Sequence, residues 1–302
     1  MTANLLSLLT IPLCVGALAG QKPAKILGTP TKAHRGWVRA VQHAPAGDLA
    51  LSASIDGQIK LWNTKSGAMV RAFGKEPLAW ARFWDGGSKV ASGHDDKKVR
   101  LWDAATGKEL GQLAEVDAKV FPAIVLPDGK TLACALAKQE AITFFDLAAN
   151  KRTASVPSPI ALLTLLSCSS DGKLLAGSST LGSQLWIWDL AGNKQVALVD
   201  MGREIGMPVS LAFAPDGKSL AVGTSKALAL FKTDGTAEPT QVLQVPDACR
   251  SLCFAKDGKS IVIGSKSGRV TQIPLAGGKP LFDAGERDLG CLLYTSPSPR
   301  DS

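Results

Sequence analysis

The side chains best suited to acid–base, nucleophilic or metal chemistry are few in this chain: three histidines and six cysteines. His94 precedes Asp95-Asp96, company that can bind a metal, but no second His or Cys cluster converges on it. It therefore reads as part of a hairpin turn with exposed charges. His43 closes a strand-like run and reads as a satisfied structural histidine. Cys14 and Cys291 fall in end segments set aside below, and Cys134, Cys168, Cys249 and Cys253 read as small buried thiols. Strand spacing puts Cys249 and Cys253 on one face roughly 13 Å apart, beyond the about 7 Å that a disulfide spans. No phosphate-binding loop, dinucleotide glycine fingerprint, nucleophile elbow or His-Glu-x-x-His occurs. The expectation is a chain without catalytic residues, cofactor or metal.

Both ends stand apart from the rest. Met1–Ala19 holds an apolar run, Leu5–Leu18, that closes on Ala17-Leu18-Ala19. The run falls short of the about 20 residues a membrane helix needs, and it reads as a secretory signal peptide over residues 1–19. That reading predicts a secreted or periplasmic protein with no stable membrane insertion after signal removal. The thiols argue for the alternative, a cytoplasmic one. Cys291–Ser302 resembles the translation of a transposon-end sequencing adapter. It reads as a foreign tail over residues 291–302, with the natural sequence cut near Gly290. The formal charge is +8, but Lys130, Lys173, Lys218 and Lys259 fall in separate turns, so no nucleic-acid partner is expected. The apolar stretch Pro159–Cys168 is too short to cross a membrane and reads as a fully buried strand.

Between those ends, over residues 20–290, a turn ending in glycine recurs at Gly47, Gly87, Gly129, Gly172, Gly217 and Gly258, at intervals of 40, 42, 43, 45 and 41 residues. Before each turn lies an alternating apolar run such as Trp37–Val41 or Ala79–Phe83. After it comes a run of small residues such as Leu49–Ser54, then one ending in an aromatic and an acid or amide, as in Leu61-Trp62-Asn63, Leu101-Trp102-Asp103 and Trp186-Ile187-Trp188-Asp189. Repeats of this length suit a four-stranded blade. These residues resemble the WD40-repeat family closely over Lys25–Asp283. The resemblance implies an all-β, WD40-type β-propeller with six recognisable blades. Lys25–Leu27 reads as the outer strand of a seventh blade, so the ring is expected to be truncated at the C-terminal end; the alternative is a six-bladed ring in which Lys25–Leu27 is an unpaired leader.

The resemblance also implies a hydrogen-bonded structural tetrad in the first unit, His34, Ser52, Asp56 and Trp62. The second unit keeps Ser92, Asp96 and Trp102 but has Lys75-Glu76 where the histidine belongs. The fourth keeps Ser178 and Trp188, while the fifth and sixth have only Phe231 and Ile273 at the aromatic position. WD-repeat rings generally present one face of loops to protein partners, and that pattern implies a partner-binding face with Arg35, Trp37, Ile55, Trp80 and Asp95. The expected function is a non-catalytic interaction scaffold. The alternatives are a propeller enzyme or small-ligand binder using the central channel, or the accessory module of a larger protein.

Overall fold

The computed structural model describes residues 34–284 except 115, 117, 137, 138, 161, 246, 247 and 268. The signal-like segment, Lys25–Leu27 and the adapter-like tail lie outside the described residues. The chain forms six four-stranded antiparallel meanders. The first holds β1 (Val38–His43), β2 (Leu49–Ser54), β3 (Ile59–Asn63) and β4 (Met69–Phe73). The second holds β5 (Leu78–Trp84), β6 (Lys89–His94), β7 (Val99–Asp103) and β8 (Glu109–Gln112). In the third are β9 (Val120–Val125), β10 (Thr131–Leu136), β11 (Ala141–Asp146) and β12 (Lys151–Pro157). The fourth comprises β13 (Leu165–Cys168), β14 (Leu174–Ser178), β15 (Gln184–Asp189) and β16 (Lys194–Asp200). A single helical turn, α1 (Gly202–Ile205), leads to the fifth: β17 (Pro208–Phe213), β18 (Ser219–Thr224), β19 (Ala227–Lys232) and β20 (Gln241–Gln244). The sixth holds β21 (Cys249–Phe254), β22 (Ser260–Ser265), β23 (Val270–Pro274) and β24 (Phe282–Ala284).

The first strand of each sheet packs on the first strand of the next, from β1 through β5, β9, β13 and β17 to β21. The described residues thus form six propeller blades, with those strands innermost. The repeated glycines make the first turn of every blade because each sits at positive φ, from 67° at Gly258 to 98° at Gly87. Apolar residues on both faces of each sheet close five inter-blade clusters. Full burial of each large aliphatic or aromatic side chain contributes roughly 1.5–3 kcal/mol. Hydrogen bonds cross between blades as well: Phe83 N–H donates to Gln42 Oε1 at 2.8 Å and Ser170 Oγ to the Pro215 carbonyl at 2.9 Å. Among the described residues, no comparable packing joins β1 to β21. The face of the first blade turned away from the second is nevertheless buried, with Val38, Val41, Ala50 and Trp62 clustered on it.

Two features depart from the sequence reading. The innermost strands carry a β-bulge near their start, at Arg39, Ala79, Phe121-Pro122, Val209 and Arg250, and only β13 lacks it. An extra residue shifts the alternation, so residues before and after it swap faces. Cys249 and Cys253 are therefore not on one face. Cys249 packs with Leu252 and Phe254 in the cluster against the fifth blade, which Cys253 does not join. Nor are all four thiols fully buried, since Cys168 and Cys253 are partly exposed. The stretch Pro159–Cys168 is likewise a strand only from Leu165. Ahead of it, Leu162 takes φ 53° and is exposed.

Candidate interaction face

The glycine turns gather at one end of the propeller. A Cβ on Gly87 would meet Pro45, one on Gly172 would meet Pro127, and one on Gly258 would meet Pro215. Loops entering the innermost strands, together with the β2–β3 and β6–β7 turns, therefore form the opposite face. On that face the first blade is held by a polar relay. Trp62 Nε1–H donates to Ser52 Oγ at 2.8 Å, and Ser52 Oγ lies 2.7 Å from His34 Nε2. His34 Nδ1 lies 3.0 Å from Asp56 Oδ2. One donor order satisfies every atom: indole N–H to hydroxyl, hydroxyl to Nε2, and Nδ1–H to carboxylate. Asp56 also accepts from the backbone N–H of Arg35 at 2.8 Å and of Gln58 at 3.0 Å. Burial by itself would raise the Asp56 carboxyl, but the bonds from His34, Gln58 and Arg35 hold it far below the usual carboxylate range.

This relay fixes the loop that presents Trp37. Ile55 N–H donates to the Trp37 carbonyl at 3.0 Å. Gly36 lies so close to the turn that a Cβ there would stand 2.7 Å from Ile55 Cγ1. Trp37 is 71% exposed and Ile55 is 39% exposed, and the two sit side by side with Arg35, also exposed. Asp95 is exposed on the second blade and pairs with Lys119. Trp80 does not join this face. It is 2% exposed and donates its Nε1–H to the Val120 carbonyl at 2.8 Å, bridging the second and third blades. The bulge at Ala79 turns Trp80 towards its neighbour, and Gly93 leaves the space the indole fills.

The second blade rebuilds the relay from a different histidine. Trp102 Nε1–H donates to Ser92 Oγ at 2.7 Å, and Ser92 Oγ lies 2.8 Å from His94 Nε2. His94 Nδ1 sits 3.2 Å from the Glu76 carbonyl. His94 is thus buried, not part of an exposed charged turn. The signal for this was Ser92-x-His94, two residues that share a face in a strand. Asp96 turns instead to Arg100, at 2.6 Å, whose guanidinium holds the carboxyl below its usual range. Burial first, then the nearby Arg100 charge, lowers His94 below its ordinary value of 6.5.

The unfolded chain therefore binds a proton on the His94 imidazole that the folded chain refuses. Its contribution is complete above about pH 6.5 and is lost as pH falls through the folded value. Lowering the pH from 7.5 to 5 is expected to reduce the melting temperature more in the parent than in His94→Gln, which keeps an acceptor for Ser92. Equal pH dependence in melts of the two proteins would rule this out.

Register explains where the relay stops. The residue two beyond the partner of the aromatic is Ser52 for Trp62 and Ser92 for Trp102, but Cys134 for Phe145, Val222 for Phe231 and Ile263 for Ile273. For Trp188 that residue is Gly177, not Ser178. Ser178 Oγ donates to the Gln184 carbonyl, and the indole N–H groups of Trp186 and Trp188 have no partner among the described residues.

Burial pushes the Cys134 and Cys168 thiols up to about 12 and Cys249 to about 11, the opposite of an activated nucleophile. His43 is exposed, with Nδ1 at 2.8 Å from the Ala44 carbonyl. Among the described residues no group of three His, Cys, Asp or Glu is placed to hold a metal ion, and no helix is long and apolar enough to cross a membrane.

Comparison with known proteins agrees with this architecture. The family model for the WD domain, G-beta repeat, matches residues 24–63 and 78–103, which include the first two relays. The Periodic tryptophan protein 2 homolog of Schizosaccharomyces pombe is 28% identical over 115 residues, covering 37% of this chain and 13% of that protein. The chain thus matches a small part of that relative's length. The matched repeats, the six radial sheets and the Trp–Ser–His relays together identify the chain as a WD40-repeat β-propeller.

Proposed function

We propose that the chain is a non-catalytic scaffold that holds a protein partner against the face carrying Trp37. The observation that carries this is a tryptophan left 71% exposed beside Ile55 and Arg35, on a loop anchored by buried hydrogen bonds. Tryptophan and arginine most often dominate interface energies. A loop already fixed in the free protein loses little entropy on binding. Arg35, Trp37, Ile55 and Asp95 belong to this face, and Trp80 does not.

The test is capture of partner by the immobilised chain from extract of its own source, with the parent and Trp37→Ala compared. Recovery of the partner is expected to fall about tenfold or more. The melting temperature should barely move, because an exposed side chain away from the relay contributes within about 0.5 kcal/mol. Unchanged recovery with an unchanged melt would overturn the assignment of this face.

A further inference from the structure

Resting on that reading, the wall of the axial channel narrows the chemistry of the partner. None of the six innermost strands carries an aspartate or glutamate, whereas they hold Arg39, Arg82 and Arg250. Arg82 is buried with its guanidinium on the Ala81 carbonyl. Arg39 and Arg250 are exposed, and both occupy the bulge of their strands, close to the end where Trp37 lies. Bulges re-aim side chains, and the same step in other blades offers Phe121, 44% exposed, and the half-buried Ala79 and Val209. The mouth of the channel is thus cationic and apolar. Low-dielectric walls focus such a charge toward an incoming anion.

We propose that this mouth binds an acidic, apolar segment of a protein partner, with its carboxylates facing Arg39 and Arg250 and its apolar side chains covering Trp37 and Phe121. A nucleic acid fits less well. Two exposed arginines at a channel mouth offer few contacts to a run of phosphates, while a short peptide need only enter the mouth.

Fluorescein-labelled peptides of alternating Glu/Leu, Gln/Leu and Lys/Leu, and an oligo(U) RNA, serve as probes in anisotropy titrations with the full chain. The Glu/Leu peptide is expected to bind about tenfold or more tighter than the Gln/Leu peptide. Its advantage should shrink as salt rises from roughly 50 to 200 mM. Arg39→Gln with Arg250→Gln should abolish the preference without changing the melting temperature. Equal or absent binding of the three peptides, a preference for Lys/Leu or for oligo(U), or a preference that survives the double substitution overturns the proposal. Partner capture separates the two readings. If Trp37→Ala loses the partner and the arginine variant keeps it, the scaffold face stands and the acidic segment falls.

Discussion

Trp80→Ala is expected to destabilise the propeller by about 3–5 kcal/mol, the range for deleting a large buried aromatic. The indole lies in the cluster between the second and third blades with Trp84, Leu132 and Phe145. Its removal opens a cavity at that interface and also leaves the Val120 carbonyl without its donor. Gly93→Ala should act in the same direction through the opposite cause, because a Cβ there overlaps the Trp80 indole and that ring is held by its hydrogen bond. Urea unfolding followed by tryptophan fluorescence measures both. A loss under about 1 kcal/mol for Trp80→Ala would mean that the neighbouring blades close the gap.

Ser52→Ala should cost about 2–6 kcal/mol, since it strips partners from two buried groups, the Trp62 N–H and His34 Nε2, at about 1–3 kcal/mol each. The fifth blade suggests the compensating change. It has Val222 and Phe231 at the positions of Ser52 and Trp62, and needs no polar partner there. Ser52→Val with Trp62→Phe is therefore expected to lose at least about 1 kcal/mol less than the sum of the two single changes. A double-mutant cycle by urea denaturation gives the difference. Strict additivity would show that the hydroxyl and the indole do not act as a unit.

The blades were legible in the sequence because a glycine turn recurs at a spacing that suits a four-stranded unit, between runs that end in an aromatic and an acid or amide. The first relay was legible because the first unit holds all four residue types the resemblance calls for. What stayed hidden has a common physical origin. A bulge leaves no turn signature yet reverses which face every residue beyond it takes, and this misplaced Cys249 relative to Cys253. Whether a tryptophan near a strand start faces solvent or the adjacent blade depends on the partner blade, so Trp37 and Trp80 look alike in sequence and end 71% and 2% exposed. His94 was missed because its role comes from the same strand as Ser92 instead of the preceding loop. Ser178 was misread because Trp188 pairs with Leu175, which leaves Gly177 and not Ser178 two residues beyond its partner.

The two relays end on different oxygens, and acidity separates them. The one that ends on the Asp56 carboxylate keeps a charged acceptor for His34 until that group gains a proton, well below its ordinary value of 3.8. The one that ends on a peptide carbonyl has no carboxylate at its end, so it yields once His94 is protonated, below that side chain's ordinary value of 6.5. Between those two protonations the first blade keeps its charged anchor while the second has lost its own, and acidification loosens the disc at one sector before the rest.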